Sequence, residues 1–130
     1  MAKLTSLQAN ILANNFLGLA QAIGDFRYEN WNNLSKADNQ KLGDFQRSIL
    51  NYGEDILALS TTLVMDDVQT SLAQINNVTA QIKGTIKNLQ NIQKGINVAA
   101  SVVTLGAAII SKNPETVASA ISGAVHAWNV

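Results

Sequence analysis

The feature that most constrains this chain is a run of apolar residues spaced alternately three and four apart: Leu42, Phe45, Ile49, Tyr52, Ile56, Leu59 and Leu63. That spacing draws one stripe along an α-helix, whereas a strand would need alternate residues to share a face. A second run, Leu12, Phe16, Leu19, Ile23 and Phe26, repeats the pattern with Leu7 and Ile11 near its start. A third runs through Val68, Leu72, Ile75, Thr79, Ile82, Ile86, Leu89, Gln93 and Ile96 and holds the same register through Ala100, Val103, Ala107 and Ile110. With one proline and no alternating apolar segment, the chain is expected to be all-α, with coiled-coil-like packing.

Local signals place the helix boundaries. Thr5 with Gln8 reads as a capping box, so the first helix is predicted over 6–33, weakened at its end by Asn30-Trp31-Asn32-Asn33. Ser35, with Asp38 in the first turn, starts a second helix predicted over 36–63. Asp66 with Gln69 makes a weaker acidic cap for a third. Gly95 does not change the register of the third stripe, so this helix is predicted to run unbroken over 67–111. Asn113-Pro114-Glu115 stops it and starts a fourth helix over 114–128, with proline at the first helical position. The expectation is a single domain, 1–130, folded as an elongated antiparallel bundle of four helices. Its C-terminal end would protrude as an apolar hairpin. If the third helix instead broke at Gly95, the tail would fold back on the bundle.

Composition narrows the chemistry. The chain has no cysteine, which excludes disulfides, thiolate metal sites and thiol catalysis. Its formal net charge is zero, which argues against nucleic acid as a partner and provides little repulsion against self-association. The charge is uneven, however. Residues 1–67 hold eight acids and five bases, while residues 68–112 hold four lysines and no acid. Adjacent acids such as Glu54-Asp55 point about 100° apart on a helix and form no shared site. His126 is the one histidine, and no phosphate loop, nucleotide fingerprint, calcium loop or Glu-x-x-His pair is present. The chain is therefore expected to be non-enzymatic, with no cofactor and no metal. The first residues lack the clean apolar run and cleavage site of a secretory signal, so the default location is cytoplasmic, or outside the cell by a non-classical route.

The functional candidate is the C-terminal segment. Gly95 to Ser111 is 17 residues without a charge, bracketed by Lys94 and Lys112, and a helix apolar all round is either a core helix or a membrane-seeking one. With the second arm, Val117 to Val130, it would form a hairpin rich in small residues that permit close helix contact. The residues expected to carry an interaction or membrane surface are Val98, Val102, Val103, Leu105, Ile109, Ile110, Val117, Ile121, Val125 and Trp128. Lys83, Lys87 and Lys94, within about 40° of one another on a continuous helix, would form a basic stripe leading to it, suited to anionic lipid or an acidic partner. Tyr28 and Trp31, with Arg27, are of the residue types frequent at contact hot spots. In general plan, a long-helix bundle with an apolar hairpin resembles the helical pore-forming toxins, and that resemblance implies membrane insertion of residues 95–130. The leading expectation is a protein that self-associates or binds a protein partner through this hairpin. The alternative is membrane activity at an anionic bilayer.

Overall fold

A computed structural model describes residues 2–59, 62–65 and 67–129, apart from the side chains of Ala2, Gln69 and Lys87. It is all-helical, and its helices pack on one another. Among the described residues there are five α-helices: α1 (Ser6–Glu29), α2 (Lys36–Leu59), α3 (Val68–Thr85), α4 (Ile92–Ile110) and α5 (Pro114–Asn129). One two-residue ladder, for which the sequence carries no alternating signal, joins β1 (Ala2–Lys3) to β2 (Val64–Met65).

Most capping signals act as read. The Thr5 hydroxyl accepts from the Gln8 N–H at 3.1 Å while the Gln8 side chain accepts from the Thr5 N–H at 2.9 Å. Ser35 Oγ accepts from the Asp38 N–H at 3.0 Å. Asn113 Oδ1 accepts from Glu115 and Thr116 at the start of α5. Asp66 and the Gln69 side chain lie outside the described residues. The cap of α3 is Asp67, which accepts from the Thr70 N–H at 3.1 Å.

Three expected boundaries are corrected. The first helix ends at Glu29, and Trp31–Asn33 forms a separate 3-10 turn. The Asn30 side chain donates to the Phe26 carbonyl and ties off that end. The second helix ends at Leu59. Ser60 and Thr61 lie outside the described residues, and the Leu63 carbonyl beyond them accepts from the Leu4 N–H at 3.0 Å. The third correction changes the architecture. The helix expected over 67–111 is two helices, separated by a 3-10 turn (Ile86–Asn88) and the extended residues Leu89 and Asn91. Asn91 caps α4 by accepting from the Lys94 N–H at 3.1 Å. The chain therefore reverses well before Gly95, which lies inside α4, and α4 folds back onto the other helices instead of protruding.

Close approaches fix the packing. Arg27 near the end of α1 lies over Gly43 near the start of α2, and Leu17 lies over Gly53 further along. Gly95 at the start of α4 sits against the Phe26 ring, and Gly106 sits against Tyr52 and Phe16. Asn15 donates to Asn76, which ties α1 to α3. The core so enclosed contains the whole stripe of α1, Leu12, Phe16, Leu19, Ile23 and Phe26, with Leu42, Ile49, Ile56, Ile75 and Ile82. Burial of this much apolar surface is the main stabilising term. Thr79 is buried with them, its hydroxyl donating to the Asn76 carbonyl at 3.1 Å. Leu7 and Ile11 are exposed.

Candidate functional site

Helices α4 and α5 form the hairpin singled out by the sequence. Its turn passes through Lys112, whose φ of 60° is the left-handed conformation that closes a helix C-terminus. Ser111 and Lys112 donate back to carbonyls of the last turn of α4.

The inner face of the hairpin belongs to the core. Val98, Val102, Leu105, Ile109, Val117 and Ile121 are buried, while Val103, Ile110, Val125 and Trp128 are half-buried. The buried stripe of α4 is thus Gly95, Val98, Val102, Leu105 and Ile109. The stripe extrapolated from α3, through Ala100, Val103, Ala107 and Ile110, falls at its margin or in solvent. In the folded chain, six of the ten residues expected to form a contact surface face their own bundle.

The outer face carries different residues. Asn97, Thr104 and Ala107 are exposed on α4, with Ala100 and Ser101 half-buried; Thr116, Ala118, Ser119, Ser122 and Gly123 are exposed on α5. Between the arms lies an open groove of about 460 Å³, lined by Ser101, Thr104, Glu115, Thr116, Ser119, Ala120 and Gly123. The Ser101 hydroxyl donates to the Val98 carbonyl at 2.7 Å and the Thr104 hydroxyl to the Ala100 carbonyl at 3.2 Å. Hydroxyls bonded back to their own helix have their donors satisfied without water, so covering them costs less than covering free polar groups. The contrast with α2 is instructive. Its solvent side carries Lys36, Lys41, Asp44, Arg47, Glu54 and Asp55, whereas α4 carries no charge from Gly95 to its end.

The expected basic stripe does not exist as one helical face, because the break between α3 and α4 separates its members. Lys83 is exposed on α3 and lies over Gly18, and Lys94 is half-buried on α4 with its ammonium 5.3 Å from the centre of the Trp128 ring. The side chain of Lys87 lies outside the described residues. The pairing of Lys94 with Trp128 was not legible in the sequence, since it depends on how α4 and α5 fold together. At the α1–α2 connection, Arg27 stacks on Trp31 at 5.2 Å and donates to Asn39. His126 is exposed on α5. Among the described residues no group of three His, Asp or Glu side chains is placed to hold a metal ion. No family model, curated protein or solved structure matches the chain.

Proposed function

We propose that this chain is a non-enzymatic interaction protein, built as an up-and-down helical bundle, that associates with itself or a protein partner through the outer face of the α4–α5 hairpin. One observation carries the reading: apart from Glu115 at the start of α5, this face is made of small uncharged residues, and on α4 the Ser101 and Thr104 hydroxyls are already bonded to their own backbone. Small residues let another helix approach closely, and the missing charges remove the largest desolvation cost of covering the face. Sedimentation velocity tests it. The wild-type chain is expected to shift from monomer to dimer with concentration. Thr104→Glu and Ser119→Glu, both at exposed positions, are expected to hold it monomeric with unchanged thermal stability. A wild-type chain that stays monomeric at millimolar concentration eliminates self-association and leaves the reading to stand on a partner protein captured by wild type and lost by the two variants.

A second reading keeps the resemblance to helical pore-forming toxins. Among the described residues α4 is the one helix long and apolar enough to cross a bilayer, and half of it is buried against the bundle. Insertion of residues 95–130 requires the hairpin to leave the core. The chain has no cysteine, so a disulfide between Tyr52→Cys and Gly106→Cys, two positions in contact, fastens α4 to α2 without competing thiols. Leakage from anionic vesicles is expected to stop in the oxidised form and return on reduction. Equal leakage in both forms removes insertion by this hairpin.

A further inference from the structure

We propose that the end of the molecule carrying Tyr28, Trp31 and Trp128 is a docking surface for an anionic lipid bilayer. The fold brings these residues to one end of the molecule although Trp31 and Trp128 lie far apart in the sequence. Gly95 packs on Phe26, so Lys94 and its Trp128 partner sit at the same end as Arg27 and its Trp31 partner. Tyr28 is 78% exposed and Trp31 53% exposed, so neither ring is buried in the core. Tryptophan and tyrosine favour the boundary between hydrocarbon and water because each has an apolar ring and a polar handle.

Charge along the molecule supplies the direction. Among the described residues, the aromatic end holds Arg27, Lys36, Lys41 and Lys94 with Asp25, Glu29 and Asp38; the opposite end holds Glu54, Asp55, Asp67 and Glu115 with Lys3 and Lys112. A bilayer with anionic headgroups attracts the first end and repels the second, so the molecule approaches aromatic end first. Cations stacked on the two indoles place positive charge at the depth where headgroups lie. The surface is distinct from the outer face of the hairpin, and the inference rests on neither reading of that face.

The test is flotation of the wild-type chain with phosphatidylcholine vesicles, with and without phosphatidylserine; Trp31 emission is read separately in the Trp128→Phe variant, which keeps an aromatic ring beside Lys94. Binding is expected only to the anionic vesicles, with a blue shift of Trp31 and loss at high salt. Lys36→Gln and Lys41→Gln, on the exposed start of α2, are each expected to weaken partition about fivefold. Tyr28→Ser with Trp31→Ser is expected to weaken it further at unchanged thermal stability, read by flotation alone. Lys3→Gln with Lys112→Gln at the far end is expected to leave it unchanged. The inference is overturned if the wild-type chain does not float with anionic vesicles. It is equally overturned if the far-end pair reduces binding as much as the aromatic-end variants, or if Trp31 shifts with soluble polyglutamate but not with vesicles.

Discussion

Val102→Glu is expected to leave the chain unfolded at neutral pH, whereas Thr104→Glu two residues along is expected to change stability by no more than about 0.5 kcal/mol. On a helix these positions point about 200° apart. Val102 is 1% exposed within α4, among Val98, Leu105 and Ile109, while Thr104 faces solvent. A carboxylate at Val102 would have no cation beside it on α4, because the helix is uncharged from Gly95 onward. Burying an unpaired ion costs several kcal/mol even after relaxation, and uptake of a proton only replaces that cost with a buried polar group and a misfitted shape. Against a total stability of roughly 5–15 kcal/mol, the change is large enough to shift the folding equilibrium outright. Circular dichroism through a thermal scan reads the result. A Val102→Glu chain that melts cooperatively near the wild-type temperature would show that α4 is not part of the core. The pair therefore tests which face of α4 looks inward, the point on which the placement of the candidate surface turns.

The same helix explains what the sequence could and could not reveal. The stripe of α1 was fully legible because its opposite face carries Asn10, Asn14, Gln21 and Asp25, so only one phase of the period buries apolar groups. The caps at Thr5, Ser35 and Asn113 were legible because each is a short-range bond between residues two or three apart. In α4 the pattern lost its discriminating power. Val98, Val102, Leu105 and Ile109 make one good stripe, and Ala100, Val103, Ala107 and Ile110 make another in phase with α3. Periodicity alone cannot choose between two apolar faces, and the in-phase choice concealed the break at Ile86–Asn91. The weak point was nevertheless present: Gln93 occupies a seam position where a continuous helix would need an apolar residue, and it is exposed on α4. Asn91, a favoured cap residue just before it, was the local signal that a new helix starts there. The site followed the same logic. The hairpin was legible as a segment, but its large apolar residues face the core, and the surface left free consists of its small residues. The grouping of Trp31 with Trp128 was not legible at all, since it is set by the reversal between α3 and α4.

Gly95→Ala is expected to destabilise the protein by about 1–2 kcal/mol, although alanine is the better helix former. In an exposed helix the change would gain about 1 kcal/mol. At Gly123 in α5, where an added methyl meets nothing within 4 Å, that gain is available. At Gly95 the methyl would stand 2.2 Å from Cζ of Phe26 and within 2.8 Å of two further ring carbons. Phe26 is fully buried at the end of α1, so its ring has no free volume into which to swing. Overpacking of this kind costs about 1–3 kcal/mol, and three ring atoms inside contact distance place Gly95 at the upper part of that range, beyond what helix propensity returns. Denaturant unfolding measures the net effect, and a double-mutant cycle assigns its cause. In a Phe26→Leu background the smaller side chain makes room, so Gly95→Ala is expected to turn neutral or stabilising, with a coupling of about 1–3 kcal/mol between the two sites. If the two changes simply add within about 0.5 kcal/mol, the start of α4 does not rest on the end of α1. The fold-back of the hairpin, and the placing of Trp31 and Trp128 at the same end of the molecule, both depend on that contact.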